Sequence, residues 1–591
     1  MKHKAVYLMV VLLFLVFAGI LYSQQQGKGE KMSDYQKEWE QVDALTQKGL
    51  PQSALEVVDK IYRNAKKSAN HAQQVKALIY RLRFLALIEE DALVKNIRRV
   101  EEEIAASKYP VKPLLQSTLA DLYWMYYQQN RYKILDRTQT SGVEMDDLET
   151  WDAAQFVEKV IELHNASLAE RDRLKATGLD DFDALIEKQP GSREFRPTLY
   201  DLLAQRAVDF FMNDEATLTR PAYQFQLRDE KVFQPAEKFA EARFETRDTL
   251  SFKYQALLIL QDLVAFHLKD DQPAALVDVD LKRLSFARQN SVHPEKETLY
   301  LNALENLEAQ YREHEISTWV AYDLANFYES RGQQYAPEKG ELYKWDRKKA
   351  YDVCEEAIQR FPLSDGAKNC RALQGRITRP GLSMRLEEVN LPSQPFRALI
   401  EYQNVPRVFL RIAAVNPEAL REVKEKNNYN SDQWLNYYRS LPATASWTVD
   451  MPDDGDYQTH SVEIKMPALP NGQYKVLMGT DADFSREGQA VATGGTWISN
   501  LGFVIQTDPE QETGFFVFDR ESGKPLEGVS AQSWLLERSG RQGNRETKSK
   551  LFRTDKNGYF QMASLSKNRY ERYRIDFQYR GDRLFLEDYF T

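Results

Sequence analysis

The sequence has few of the residues that metal sites and disulfide frameworks require. Its 591 residues include only 2 cysteines and 7 histidines. Two cysteines allow one disulfide at most, so the chain is not a disulfide-dense scaffold. Lysine and arginine form no long run, and acidic and basic residues interleave to a net charge of -9. A protein that binds nucleic acid needs a basic face, so we expect no nucleic-acid partner.

Motifs of common catalytic and nucleotide-binding sites are also absent. The sequence contains no H-E-x-x-H, no G-x-S-x-G, no P-loop and no G-x-G-x-x-G. These motifs supply zinc ligands, a nucleophilic serine, a phosphate cradle and a dinucleotide site, respectively. We therefore predict that the protein is not an enzyme and has no catalytic residues and no cofactor.

The histidines are scattered along the chain, and none has a second histidine or a cysteine at ligand spacing; they are His3, His71, His164, His267, His293, His314 and His460. Of these, His164 and His267 fall on apolar helix faces, which favours hydrogen-bonded core histidines over metal ligands. The sequence thus predicts no metal site.

The composition is that of a folded protein with several domains. Apolar residues make up 42%, charged residues 28% and aromatic residues 12% of the chain. This balance argues against extensive disorder. At about 150 residues per domain, the length predicts roughly four domains.

Residues 1–23 are predicted to be a signal peptide. Lys2 and Lys4 precede an uncharged apolar run at 5–22, and a polar Ser-Gln-Gln-Gln segment follows. Cleavage near Ser23 would export the chain to the periplasm, the cell envelope or the medium. The alternative is an uncleaved anchor, because the run is just long enough to cross a bilayer. In that case, membrane contact is made only by this segment.

Residues 33–378 are predicted to form an α-helical hairpin array, an α-solenoid. Apolar residues recur with a period near 3.6, and a Gly49-Leu50-Pro51 turn separates the first two helices. The last hairpins resemble tetratricopeptide repeats in residues Leu324, Ala325, Tyr328, Gly332, Ala350, Cys354, Ala357, Ile358, Phe361 and Pro362. Because their helices are spaced more widely than in a standard repeat, a solenoid without a peptide groove is the alternative.

The two cysteines, Cys354 and Cys370, fall on successive helices of the last hairpin. Antiparallel neighbouring helices can bring such positions within reach of each other, and export places them in an oxidising compartment. We predict that they form a disulfide. The alternative is a pair of buried free thiols, and either state has a structural role.

Beyond Arg379-Pro380 the apolar period changes to two, which predicts strands. Residues 381–507 are predicted to form an antiparallel β-sandwich with strands at 383–389, 396–402, 407–415, 461–466, 473–478 and 497–506. A helical excursion is predicted near 417–438. Residues 512–591 are predicted to form a second β domain, which we expect to be incomplete. Its Asp555 and Asn557 suit an Asx turn, and we prefer that interpretation to a calcium site.

The order of these features resembles the N-terminal part of the large alpha-2-macroglobulin-like proteins of Bacteroidetes-type bacteria. The resemblance rests on the segments ALIEYQNVPRVFLRI, HSVEIKMPALPNGQYKVLM, FDRESGKPLEGV and TDKNGYF. It implies that both β domains are macroglobulin-type domains, or that the second is carboxypeptidase-regulatory-like. Family members continue through further β domains, a bait region and, in some branches, a C-G-E-Q thioester. This sequence contains no C-G-E-Q, and neither Cys354 nor Cys370 lies in one.

Two functions are compatible with these features. The resemblance implies a non-enzymatic cell-envelope protein that forms the N-terminal scaffold of an endopeptidase inhibitor, with proteases or envelope proteins as partners. The alternative is a tetratricopeptide-like adaptor that binds proteins and uses its β domains as spacers. An exposed groove lined by Asn, Lys and Arg would favour the adaptor. Helices packed tightly against the first β domain would favour a structural stalk.

Overall fold

The computed structural model describes residues 35–135, 148–186, 191–213, 223–420, 430–507, 513–539, 543–562 and 572–585. The predicted signal peptide lies outside these residues. Within the described ranges, no helix combines the length and the apolar character that crossing a bilayer requires.

The first part of the chain is helical, as predicted. Its α-helices are α1 Gln36–Gln47, α2 Pro51–Lys67, α3 His71–Ile88, α4 Ala92–Ala106, α5 Val111–Leu135, α6 Ala153–Ser167, α7 Arg171–Lys175, α8 Ser192–Phe195, α9 Leu199–Phe211, α10 Ala236–Glu241, α11 Phe252–His267, α12 Ala274–Asn290, α13 Lys296–Gln310, α14 Ser317–Gly332, α15 Asp346–Arg360 and α16 Asp365–Ile377. Short 3₁₀ helices lie at Leu148–Thr150, Asp180–Leu185, Glu230–Phe233 and Pro337–Lys339.

Local sequence signals explain many of the helix starts. Helix α2 begins with Pro51, whose missing N–H is not needed in the first turn. Asp152 at the start of α6 and Thr198 at the start of α9 each form a capping box with the residue three positions later. These boxes give otherwise unpaired backbone N–H groups a side-chain acceptor.

The second part of the chain consists mainly of antiparallel strands, which confirms the predicted order of helices and then sheets. The strands are β1 Gly381–Leu386, β2 Val389–Asn390, β3 Phe396–Gln403, β4 Arg407–Val415, β5 Ala443–Asp450, β6 His460–Met466, β7 Gly472–Gly479, β8 Val491–Ile498, β9 Leu501–Thr507, β10 Thr513–Asp519, β11 Ser530–Ser539, β12 Gly543–Arg553, β13 Tyr559–Met562, β14 Arg572–Tyr579 and β15 Asp582–Phe585.

The first β region has a three-stranded sheet, ordered β1-β3-β6, and a five-stranded sheet, ordered β2-β8-β7-β4-β5. One hydrophobic core contains residues of both sheets, including Ile400 on β3, Leu410 on β4 and Met466 on β6. The short strand β2 pairs with β8 in parallel, unlike the other strands of these two sheets. Helix α17 (Ser431–Ser440) falls in the predicted helical excursion, and residues 421–429 of that excursion lie outside the described residues.

The second β region has sheets ordered β13-β10-β9 and β12-β11-β14-β15. Phe515 of β10 stacks on Phe560 of β13 in its core, with ring centroids 4.9 Å apart. The structure differs here from the predicted strand at 497–506. That segment contains the end of β8 and most of β9, and β9 pairs with β10 rather than completing the first region. The polar pair Ser499-Asn500 separates the two strands.

By its internal contacts the chain divides into two units, and the main boundary between them falls within α14. One unit comprises residues 1–324 and 364–366, and the other comprises residues 325–363 and 367–591. The end of α14, all of α15 and most of α16 therefore belong to the same unit as the strands. The contacts between those parts of the helices and the first β region therefore lie within a single unit.

Candidate functional site

The last helices contact the first β region at the loop between β5 and β6. We call this contact the helix–sheet joint and define it by Glu329, Gly332, Lys344 and Arg347 on the helical side and Asp454, Asp456, Tyr457 and Gln458 on the loop. All eight residues belong to the second unit. Several of them are buried and polar, which is the type of contact that fixes geometry.

A glycine brings the two helices of the joint close together. A Cβ atom added at Gly332, the last residue of α14, would lie 2.5 Å from Cγ of Arg347 on α15. Real Cβ atoms do not approach other atoms so closely. Beside this contact, Arg331 forms an ion pair with the buried Asp346, which Lys349 also approaches at 3.3 Å. The close approach places Arg347 between α14 and the loop.

Arg347 connects a helix to the loop through a buried guanidinium. Its Nε donates to Oε2 of Glu329 over 3.0 Å, and its Nη1 donates to the carbonyl oxygen of Tyr457 over 2.7 Å. Arg347 and Glu329 are each only 8% exposed. Tyr457 also stacks on Tyr351 of α15, with ring centroids 5.2 Å apart. The charge of Arg347 is thus balanced by Glu329, and its Nη1 group holds the loop backbone at Tyr457.

Amide side chains from the β region satisfy carbonyl groups at two helix ends. Nε2 of the buried Gln458 donates to the carbonyl oxygens of Lys344 (2.9 Å) and Gly332 (3.2 Å). Nδ2 of Asn404, in the turn between β3 and β4, donates to the carbonyl oxygen of Ile377 over 2.7 Å. The last carbonyls of a helix have no partner within the helix. The β region therefore supplies the caps of α14 and α16.

The loop of the joint also brings together three potential metal ligands. Asp454, Asp456 and His460 each offer one ligand atom, and these atoms lie within 4.8 Å of one another. Sequence analysis missed this cluster because it looked for a second histidine or a cysteine and not for carboxylates. The sequence does contain a signal for this cluster, the acidic run Asp453-Asp454-Gly455-Asp456, whose last residue lies four positions before His460.

The two helix-face histidines have different environments. Nε2 of His267 lies 2.7 Å from Oδ1 of Asp201, and its Nδ1 lies 2.6 Å from Oδ2 of Asp270. This confirms the predicted hydrogen-bonded core histidine. Burial alone would lower the pKa of His267, but the two carboxylates outweigh it and raise this pKa above its ordinary value.

His164 is equally buried, but neither of its ring nitrogens has a hydrogen-bond partner among the described residues. The prediction of a hydrogen-bonded histidine is therefore wrong at this position. The ring packs on Phe210 and Phe211, at centroid distances of 4.9 Å and 5.3 Å. Burial among these apolar rings lowers the pKa of His164 to about 3, so the imidazole is neutral at physiological pH.

Cys354 and Cys370 are both fully buried, on α15 and α16, and both carry free thiols in this structure. The contact with the Cys370 thiol, and after it burial, raises the pKa of Cys354. Gln374 of α16 donates to Glu355 of α15 over 2.9 Å, which shows that the two helices touch at this level. The disulfide stays a prediction.

The two motifs of the second β region form one hydrogen-bonded unit. Oγ1 of Thr554 donates to the carbonyl oxygen of Leu526 over 2.6 Å and accepts from the backbone N–H of Val529 over 2.9 Å. Oδ1 of Asp555 accepts from the backbone N–H groups of Asn557 and Tyr559, as the Asx-turn interpretation predicts. These residues act as turn formers.

The helical part contains a cavity of about 260 Å³, lined by Ser192, Phe195, Arg196, Asp278, Leu281, Ile316 and Trp319. Arg196 is its single basic residue, and its Nε lies 3.5 Å from Oδ2 of Asp278. The lining is mainly apolar and differs from the Asn-, Lys- and Arg-lined groove that an adaptor would use.

No family model and no curated protein matches the chain. Among solved structures, a crystal structure of native alpha-2-macroglobulin from Escherichia coli is 17% identical over 35% of this chain, with a TM-score of 0.26. The native conformation of E. coli alpha-2-macroglobulin seen by electron microscopy is 16% identical over the same share, with a TM-score of 0.21. The chain covers 64% and 12% of these two structures, respectively.

A third solved structure matches a larger share of this chain, but with a lower sequence identity and a lower TM-score. The DNA glycosylase AlkC of Pseudomonas fluorescens, bound to DNA containing an abasic-site analogue, is 10% identical over 68% of this chain and 97% of its own, with a TM-score of 0.14. Similarity at these TM-scores carries no argument about function.

Proposed function

We propose that the protein is a non-enzymatic cell-envelope scaffold, the N-terminal part of an alpha-2-macroglobulin-like endopeptidase inhibitor of the Bacteroidetes type. In this proposal the helices form a solenoid, and the two β regions are macroglobulin-type sandwiches. The motif order in the sequence supports the family. The helix–sheet joint is the observation that carries the role of scaffold.

The joint supports a scaffold because its contacts fix an orientation. Directional hydrogen bonds from Arg347 and Gln458 specify where the loop lies, whereas an apolar contact of the same size would tolerate sliding. Gly332 adds a steric requirement, since larger residues cannot occupy the closest point of approach. A spacer that links two independent modules needs neither feature. An inhibitor whose domains must rearrange together around a protease does need a defined connection.

The proposal is tested on the protein isolated with its native coding region, including whatever is encoded after Thr591. The purified protein is mixed with a panel of endopeptidases, and activity is measured on a large protein substrate and on a small peptide. A trapping inhibitor protects the large substrate, leaves cleavage of the peptide intact and co-migrates with the protease in native gels. A heat-denatured sample is the control.

Two outcomes would contradict the proposal. The first is equal loss of both activities, which indicates a simple active-site inhibitor. The second is the absence of any effect on the large substrate, together with stable capture of an envelope peptide by the helical part. That second result would establish the adaptor in place of the scaffold.

A further inference from the structure

The carboxylate of Asp456 is the least satisfied group in the helix–sheet joint. Its side chain is 1% exposed. Oδ1 accepts from the backbone N–H of Gln458 over 2.8 Å and lies 2.9 Å from Nε2 of His460. Oδ2 is buried and has no hydrogen-bond partner within the described part of the chain. A buried carboxylate oxygen without a donor or a cation is unfavourable, so this atom indicates a missing partner.

The groups around Asp456 are suitable ligands for a metal ion. We propose that Asp454, Asp456 and His460 bind a divalent first-row transition metal ion, for which Zn²⁺ is the best-matched probe. Two carboxylate oxygens and one imidazole nitrogen are a ligand set that Zn²⁺ accepts, and three protein ligands leave a fourth position for water. This inference does not depend on the proposed function.

The geometry requires only a small contraction. Zinc–oxygen and zinc–nitrogen bonds of about 2.0–2.2 Å place tetrahedral ligand atoms roughly 3.3 Å apart. The three ligand atoms lie within 4.8 Å of one another. The side chains of Asp454 and His460 are 50% and 25% exposed, so they have room to close on the buried Asp456.

A lysine at the edge of the cluster provides an internal control. Nζ of Lys344 lies 3.0 Å from Oδ2 of Asp454. The ammonium group competes with a metal ion for the same carboxylate. Replacing Lys344 by an uncharged residue should therefore strengthen metal binding, which a purely structural ion pair would not do.

The metal ion would act on the joint through the loop that carries its ligands. Asp454 and Asp456 flank Gly455, and the next two residues, Tyr457 and Gln458, provide the hydrogen bonds to α14 and α15. Fixing the two carboxylates to His460 at the start of β6 would hold these two residues in position. The proposed ion thus stabilises the loop that carries its ligands, and its effect should be visible as protection of residues 451–459 from hydrogen exchange.

The test uses the full chain, stripped with EDTA and dialysed. Isothermal titration with Zn²⁺ and elemental analysis are expected to show one bound ion per chain. Asp456→Asn or His460→Gln should weaken Zn²⁺ binding at least about 100-fold. Loss of a residue that only hydrogen-bonds to a ligand costs up to about 100-fold in metal affinity, and loss of a ligand itself should cost at least as much. Lys344→Met should strengthen it. Asp432→Asn and His314→Gln, which change an exposed carboxylate and an exposed imidazole, are the matched controls and should leave it unchanged.

Hydrogen exchange provides the second readout. It keeps the test valid if a ligand variant folds poorly, because it is measured on the unsubstituted chain and on Lys344→Met. Zn²⁺ should slow exchange of residues 451–459 in the unsubstituted chain and in Lys344→Met. The proposal is overturned if the unsubstituted chain binds no Zn²⁺ at one ion per chain, or if Asp456→Asn and His460→Gln bind it as tightly as the controls. Tighter binding of Ca²⁺ than of Zn²⁺ would also overturn it, because imidazole is a poor ligand for Ca²⁺.

Discussion

The helical region before α14 and the helix–sheet joint both bury charged groups, but they differ in the type of element that these groups connect. In the helical region, Arg283 pairs with Asp280 three residues earlier, at 2.7 Å, and both are almost fully buried. In the joint, Arg347 and Gln458 reach partners 110 and 126 residues away. Buried charge in the helical region therefore stabilises single helices and connects neighbouring helices, whereas the buried polar groups of the joint, the charged Arg347 and the neutral Gln458, connect elements of different type.

The largest expected effect comes from removing one partner of the joint's buried ion pair. Glu329→Leu leaves the guanidinium of Arg347 buried without its carboxylate, which should cost about 3–5 kcal/mol. Because the contact connects α14, α15 and the loop, hydrogen exchange should accelerate at residues 325–363 and 451–459. Exchange in the helices before α14 should stay unchanged. Urea unfolding measures the free energy of unfolding, and hydrogen exchange followed by mass spectrometry measures the exchange rates of the two regions.

Two further variants show whether the effect belongs to the pair. Glu329→Leu combined with Arg347→Met removes both charges and should destabilise much less than the single change, because no uncompensated charge stays buried. Glu463→Leu breaks an exposed pair with Arg397 on the first β region and should have little effect. Equal losses for the single and double variants would show that Glu329 and Arg347 do not act together.

The predicted disulfide is the next largest effect, and it also lies near the joint. A bond between Cys354 and Cys370 would close a loop of roughly 15 residues and stabilise the protein by about 3 kcal/mol. Chain isolated from the oxidising compartment should unfold at higher denaturant concentration without reductant than with it. Cys354→Ser should lose this difference. Alkylation of both thiols in denatured, unreduced protein would rule the disulfide out.

The sequence predicted the elements better than the contacts between them. Periodicity and capping residues determine helices and strands locally, so the change from helix to strand was predictable. The joint was not, because nothing local distinguishes Arg347 or Gln458 from solvated side chains on a helix or a loop. Its local signals are the acidic run at 453–456 and Gly332 at the end of a helix, and Gly332 resembles an ordinary helix terminator.

The histidines show the same limit on a smaller scale. An apolar helix face predicted burial of both His164 and His267, and both are buried. Whether a buried histidine finds a carboxylate depends on a neighbouring helix, and Asp201 is 66 residues away from His267. A single sequence does not reveal which helices are neighbours. The two residues therefore behave differently with pH, and this difference can be measured.

His164 should make the helical region sensitive to acid. Its pKa is about 3 in the folded protein, against an ordinary value of 6.5. Below pH 6.5 the unfolded chain therefore takes up a proton that the folded chain does not, and stability falls as the pH falls. Between pH 6.5 and pH 5 the expected loss is about 2 kcal/mol. His164→Leu should remove it in urea unfolding at each pH, and an unchanged slope would contradict the assignment.

His267 should have a smaller effect of opposite sign. Its pKa is raised in the folded protein by Asp201 and Asp270, so the folded chain holds the proton more tightly than the unfolded chain does. The stabilisation is complete below the ordinary pKa of 6.5 and is lost as the pH rises through the folded pKa, at about 1.4 kcal/mol for each unit between the two. The stability difference between the unsubstituted chain and His267→Gln should therefore shrink as the pH rises from 6.5. For His164→Leu the slope is opposite, because the stability of the unsubstituted chain minus that of the variant decreases as the pH falls from 6.5. Slopes of the same sign for the two variants would show that the carboxylates do not hold the charge of His267.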